Sequence, residues 1–465
     1  MTKFFEALAN VFRIPDLRRR VLFTLGLLAV YRVGAYIPTP GIDTDKFEAF
    51  FMRNASGGFL GYFDLFSGGM LRRMTIFALG ITPYITASII LQLLTVVIPT
   101  LDKLQKEGEL GRRKITQWTR YLTVALAILQ SFGIAFALQS SEGNFVLNPG
   151  PTFILLTCLT FTAGSAFIMW LGEQITDRGI GNGMSLIIFV GIVVGLPTAI
   201  TQIYQNTFVT HQWPVLQMVI ILIIMVAVVA FIVLVERGER RIPVQYAKRV
   251  IGRKMMGGQS THLPLKVNAG GVIPIIFASS LLALPQTFLQ FPAFKNSPWL
   301  SSMLGSLGSA EPLYYLVYTL LIVFFCFFYI SIIFNPNEAA DNMRKYGGFI
   351  PGIRPGKNTA EYMDKILSKI TVVGGLYLAI LSIIPMVMIS GIRLQRLPFV
   401  GNFIDAHFPR WLLDGLGVTF FFGGTSLLIV VGVAMDTVNQ IEAQLIMRHY
   451  DGFTPRSGRV RGRRG

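Results

Sequence analysis

Charge is what this sequence has least of. Only 14% of its 465 residues are Asp, Glu, Lys or Arg, against about 25% in an ordinary soluble domain, and that shortage excludes a water-soluble fold. Cysteine is nearly absent. Cys158 and Cys326 each sit inside an apolar run, so neither a disulfide scaffold nor a thiolate metal site is encoded. No HExxH, GxSxG or Walker phosphate loop occurs, and His211, His262, His407 and His449 all fall outside the apolar runs. Membrane-protease and ATPase readings therefore lack their residues. The charged stretch Met1 to Arg20 has no short apolar core ending in a small-residue cleavage site, so no removable signal peptide is expected.

What is there instead is apolar surface, 52% of the residues, with a mean hydropathy of +0.57. Phe (37) and Gly (46) are abundant, suiting helices that face lipid on one side and approach each other through small residues on the other. A membrane-crossing helix needs about 20 apolar residues. Such runs fall at 21–38, 75–98, 119–139, 152–172, 184–205, 214–235, 269–291, 313–335, 371–390 and 416–435. An even number of crossings puts both termini on one side. Of the 41 basic residues, 32 fall on the side of the termini and 8 on the other, with Arg32 inside the first run near its outer end. Basic loops are retained in the cytoplasm, so both termini are assigned there. The net charge of +17 is spread between apolar runs rather than gathered on a soluble face, which argues against nucleic acid.

Two echoes divide the chain. GITPYITAS (Gly80 to Ser88) in the second run matches GVIPIIFAS (Gly271 to Ser279) in the seventh at five of nine positions, with the proline inside the run both times. GMSLII (Gly183 to Ile188) in the fifth matches GTSLLI (Gly424 to Ile429) in the tenth at four of six. Both pairs share an offset of five runs. Since five is odd, the second copy enters the membrane from the opposite face, the inverted-repeat plan of many transport folds. The working pathway is then expected between the halves, lined by the second, fifth, seventh and tenth runs.

Those runs carry aliphatic residues rather than charge. Glu173, Glu236 and Asp436 lie at cytoplasmic ends, and no carboxylate or histidine occupies the middle of any run, which weakens a proton-coupled transporter. Ile81, Ile85, Ile188, Ile276 and Ile429 recur at repeat-related positions. An aliphatic ring can gate by dewetting and close around a passing chain of any sequence, although isoleucine is common in every run and ordinary helix packing would also place it there. An inverted-repeat secondary transporter is the alternative of a different class. The segments Glu236 to Asn268 and Asn335 to Lys369 mix basic residues with Gly and Pro at docking-loop length, and their charges would serve topology equally well. Gly61 to Arg73, GYFDLFSGGMLRR, is amphipathic and too short to cross, so it reads as a re-entrant half-helix or an outer loop.

Over nearly its whole length the chain resembles the SecY family of channel subunits in bacterial protein export. The match is carried by PTPGID (Pro38 to Asp43), FSGG (Phe66 to Gly69), IFALGITPYITASIILQLL (Ile76 to Leu94), EGELGRRKITQWTRY (Glu107 to Tyr121) and MWLGEQITDRGIGNGMS (Met169 to Ser185). It continues through QSTHLPLKVN (Gln259 to Asn268), FNPNEAADN (Phe334 to Asn342), GIRPG (Gly352 to Gly356) and FGGTSLLIVV (Phe422 to Val431).

The resemblance implies an all-α polytopic membrane protein of ten transmembrane helices in two pseudo-symmetric inverted five-helix halves, with a re-entrant plug half-helix. The organisation would be a cytoplasmic segment 1–20, a first half 21–205 with the plug at 61–73, a second half 206–435 with loops 236–268 and 335–369, and a basic tail 436–465. It further implies a pore ring of Ile81, Ile85, Met184, Ile188, Ile276 and Ile429, Met184 standing where isoleucine is frequent. A plug at Phe66, Ser67, Gly68 and Gly69 follows, and a lateral gate with Pro83, Ser88 and Gln92 facing Pro274 and Ser279. Arg253 and Arg354 match positions that engage the SecA motor or the ribosome. SecE and SecG subunits, signal sequences, nascent polypeptides and lipids are the implied partners, in the bacterial inner membrane. Neither cofactor nor catalysis is implied, and the energy for movement would come from a partner. The segment Arg393 to Arg410 and the tail RSGRVRGRRG carry no assigned role.

Overall fold

The structure, a computed structural model, describes residues 14–54, 64, 67–140, 145–210, 214–246, 249–251, 254–256, 260–288, 311–390 and 424–451. Phe66, Arg253, 393–410 and the tail from 456 lie outside the described residues.

Each of the ten apolar runs meets a helix. In chain order the helices are α1 (Pro15–Gly34), α2 (Thr44–Asn54), α3 (Thr82–Val97), α4 (Pro99–Lys106), α5 (Glu109–Ser140), α6 (Pro151–Arg178) and α7 (Gly183–Tyr204). The second part holds α8 (Val215–Glu236), α9 (Ile273–Phe288), α10 (Pro312–Ile333), α11 (Pro336–Lys345), α12 (Lys357–Ser390) and α13 (Gly424–Asp451). Among the described residues α5, α6, α10, α12 and α13 are each long and apolar enough to cross a membrane, and α3 with α4 would be a sixth, bent by 105° at the junction. The bend follows from Pro99, which holds Ile98 extended (φ −99°, ψ 112°) and cannot donate into α3. α1 carries Arg18, Arg19, Arg20 and Arg32 within 20 residues, so its apolar run starts later than its helix.

The helices form two copies of one packing pattern. In the first half α3 packs on α5, α5 on α6, α6 on α7 and α7 on α1. In the second, α9 packs on α10, α10 on α12, α12 on α13 and α13 on α8. The halves meet where α3 packs on α9 and α7 on α13, the four helices that carry the sequence echoes. A single apolar core runs through both junctions, from Tyr31 and Phe77 to Ile275, Phe325 and Leu428.

The echoes mark helix beginnings. Gly80 (φ +56°) and Gly271 (φ +58°) hold the same left-handed conformation, which a side chain resists by about 1–2 kcal/mol. Two residues later α3 and α9 begin, with Pro83 and Pro274 in the first turn. The prolines are thus at the helix start rather than inside a helix as the apolar runs implied, where a missing N–H is harmless and a fixed φ favours the first turn. The entry bonding is also repeated: Tyr84 and Ile85 donate to the Ile81 carbonyl, Ile275 and Ile276 to that of Val272. The second echo opens α7 at Gly183 and α13 at Gly424.

The two docking-length loops form one unit. β1 (Glu239–Tyr246) pairs antiparallel with β4 (Ser260–Lys266) and also with β5 (Gly348–Phe349) from the other loop, while β2 (Arg249–Ile251) and β3 (Lys254–Met256) form a separate ribbon. Ile242 and Leu265 of the sheet pack with Ile350 and with Met363 and Leu367 of α12, giving the platform its own small core.

Candidate functional site: an aliphatic pathway, its seal and its platform

All six ring candidates join the core between the halves. Ile81, Ile188 and Ile429 are buried there, and Ile85, Met184 and Ile276 lie half-buried against it. Their placement follows from the helix starts: Ile81 and Ile85 frame the first turn of α3, Ile276 lies in that of α9 and Met184 in that of α7, and Ile188 and Ile429 stand at the same place in the second turns of α7 and α13. The α7 start is fixed by Asn182, whose Oδ1 accepts from the Met184 N–H at 3.1 Å, and by Thr176, whose hydroxyl accepts from Gly183 at 2.9 Å. The Met184 thioether lies over Gly172 of α6, where the missing side chain gives it room. Five of the six are aliphatic and the sixth, Met184, brings only a weakly accepting thioether, so none offers a charge or a hydrogen-bond donor.

The gate candidates lie along α3 and α9, which pack together. Pro83 and Pro274 are buried; Ser88, Gln92 and Ser279 are half-buried. Their polar atoms are turned to local partners: the Gln92 amide donates to the Ser88 hydroxyl at 3.3 Å and the Ser279 hydroxyl to the Ile276 carbonyl at 3.0 Å. Ala87 and Ala278, equivalent in the repeat, have no exposed surface, and small residues of this kind allow helices to approach closely.

The segment before α3 is a succession of turns from Gly68 to Ile81. Asp64 organises its start. The Asp64 carbonyl accepts from Gly69 at 2.9 Å and from the Ser67 hydroxyl at 3.0 Å, and its carboxylate accepts from the Arg72 N–H at 2.8 Å. Ser67 is 4% exposed. Gly68 has a left-handed φ of +70°, and a Cβ built on it would stand 2.8 Å from the Gly191 Cα of α7 and 3.2 Å from Nη1 of Arg32. Contacts that close between backbones are open only to glycine. Neither Gly191 nor the position of Arg32 beside these turns was legible in the sequence, because both depend on how a non-regular segment folds back.

On the platform, Arg354 is exposed in a turn between Gly352 (φ +82°) and Gly356 (φ +107°), and its carbonyl accepts from the Thr359 hydroxyl at 3.0 Å. Of the charged groups flagged by the sequence, Glu173 pairs with Arg120 of α5 at 2.8 Å. A brace that the sequence did not suggest ties α13 to the first half: Gly181 donates to Oε1 of Gln440 at 3.0 Å, while the neighbouring Ile180 donates to the Thr24 hydroxyl of α1 at 3.1 Å.

Two repeated helical halves around a shared aliphatic core, with a segment of turns seated against one of the helices at their junction, have the architecture of a membrane transport channel. The SecY family pattern matches residues 75–438. The protein translocase subunit SecY of Streptomyces galbus is 49% identical over 458 residues, covering 96% of this chain and 99% of that protein. Among solved structures, one described as a protein conducting channel superposes with a TM-score of 0.63 at 18% identity, covering 94% of both chains. Sec61 in the canine ribosome-channel complex from the endoplasmic reticulum superposes at 0.59 and 17%, again over 94% of both chains. The chain belongs to the SecY family, and its function is that of the protein-conducting channel of a translocase.

Proposed function

We propose that the chain crosses the bacterial inner membrane ten times with both termini in the cytoplasm, in two halves, 21–205 and 206–435, flanked by the segment 1–20 and the tail 436–465. Unfolded polypeptides pass between the halves, through a ring of Ile81, Ile85, Met184, Ile188, Ile276 and Ile429. Membrane segments leave sideways between α3 and α9, past Pro83, Ser88, Gln92, Pro274 and Ser279. The plug is the segment 61–73 around Phe66, Ser67, Gly68 and Gly69. The observation that carries this reading is the meeting of the halves at α3 with α9 and α7 with α13, with all six ring residues in the core they share.

A dry aliphatic ring suits a cargo of variable sequence, since it offers no hydrogen bond that one side chain would satisfy and another would not. Energy enters from outside. SecA or a ribosome docks on the platform through Arg354 of loop 335–369, with Arg253 of loop 236–268, and SecE and SecG complete the assembly. The ribosome is supported by the canine neighbour, whose description is a ribosome-channel complex. Replacing Ile188 and Ile429 by serine tests the ring: ion conductance of the resting channel in planar bilayers should rise severalfold. Unchanged conductance would remove the ring from the seal.

A further inference from the structure

The platform and helix α9 are joined through one buried amide. Asn268 is 4% exposed and lies between the last residue of β4, Lys266, and the first of α9, Ile273. Its Nδ2 donates to Oε1 of Glu236, the last residue of α8, at 2.6 Å, and to the carbonyl of Gly271 at 3.1 Å. The first bond is charge-assisted, the stronger kind in a low-dielectric site. The second holds the left-handed glycine from which α9 starts.

The connection has little slack. The root of the β1–β4 hairpin is closed by the Val267 N–H donating to the Gly238 carbonyl at 2.9 Å, and α12 presses on the same point, where a Cβ on Gly374 would stand 2.8 Å from the Val267 carbonyl. β1 is also paired at its far end, Gln245 and Tyr246, to β5, so both large loops belong to the sheet that ends at this root. Asp436 of α13 and Lys266 are the charged neighbours of Glu236. A displacement of the sheet therefore reaches α9 through Asn268 before it reaches any other helix of the gate.

We propose that Asn268 is a positioning residue that transmits docking on the cytoplasmic sheet to the gate helix α9, with the Glu236 carboxylate as its anchor. The proposal rests on the reading of α3 and α9 as the gate. It touches neither the pathway nor a partner directly, so its signature is lost coupling rather than lost binding.

The test uses the purified channel with its partner subunits in nanodiscs, with Cys158 and Cys326 replaced by alanine and spin labels at Ser88→Cys and Ser279→Cys. Pulsed electron paramagnetic resonance reads the α3–α9 distance with and without SecA and a non-hydrolysable nucleotide. Asn268→Asp sets a carboxylate against Glu236 and should reduce the SecA-dependent shift about tenfold while SecA affinity stays unchanged. Asn268→Asp with Glu236→Gln remakes the bond to α8 with donor and acceptor exchanged, while the bond to the Gly271 carbonyl stays lost, and should restore part of the shift. A full shift in Asn268→Asp, or no recovery in a folded double variant, overturns the coupling role. If the parent labels fail to move on SecA addition while SecA binds, the gate reading itself fails and the proposal falls with it.

Discussion

The segments before α3 and before α9 occupy equivalent places in the repeat yet are built for different work. Both end in a left-handed glycine and a proline-started helix with the same entry bonds. Upstream of Gly80 the chain folds into turns seated on Gly191 of α7; upstream of Gly271 it emerges from a β-sheet clamped by Asn268. The inverted plan puts these two segments on opposite membrane faces. On the function proposed above, it teaches a division of labour: the first half would supply the seal on one face, the second a handle on the other, and a common helix start would connect each to the gate.

Arg354→Glu should break the handle alone. The side chain is exposed and its fold contacts run through its backbone, so the channel should assemble normally. SecA-driven translocation into vesicles should fall by at least about tenfold, the scale of a central interface arginine, with resting ion conductance unchanged.

Gly68→Val should break the seal alone. It combines a left-handed backbone with a clash against Gly191, a loss of about 2–3 kcal/mol for the seated segment. Ion leak of the resting channel should rise tenfold or more, with SecA binding unaffected. Gly26→Ala in α1, where a Cβ would meet nothing within 4 Å, serves as the control and should leave leak unchanged.

A finer contrast comes from the matched glycines. Gly80→Ala and Gly271→Ala incur the same backbone strain, about 1–2 kcal/mol. Only at Gly80 does the strained residue adjoin the turns seated on Gly191, its new Cβ in ordinary contact with Ser67 at 3.5 Å, while Gly271 has open space. Thermal unfolding should drop by a few degrees in both. Leak should rise in Gly80→Ala only, and equal leak in both variants would erase the distinction between the two segments.

Much of this architecture was legible before folding was considered. The apolar runs located ten helices because lipid demands continuous apolar length, and the two echoes identified the helices that join the halves. The reading was less sharp wherever the outcome depends on contacts distant in sequence. Pro83 and Pro274 lie in apolar surroundings, so the runs absorbed them, while the backbone turns at Gly80 and Gly271 start the helices just before them. The alternation of Ile242 and Val244 in β1 is visible in ERRIPVQY, but its pairing with Gly348 and Phe349, about a hundred residues on, is not. Gly191 and Asn268 carry no local signal at all: one matters for what lies on it, the other for a carboxylate that ends a different helix.

The central claim is that polypeptides pass between the halves through the aliphatic ring. Site-specific disulfide crosslinking of a ribosome-stalled or SecA-arrested secretory chain tests it most directly, in a background with Cys158 and Cys326 replaced. Cysteine at Ile85, Ile188 or Ile429 should crosslink to a cysteine scanned along the arrested chain, and cysteine at Leu159, which is 64% exposed on the outside of α6, should not. Crosslinks at Leu159 with none at the three ring positions across the scan would contradict the account.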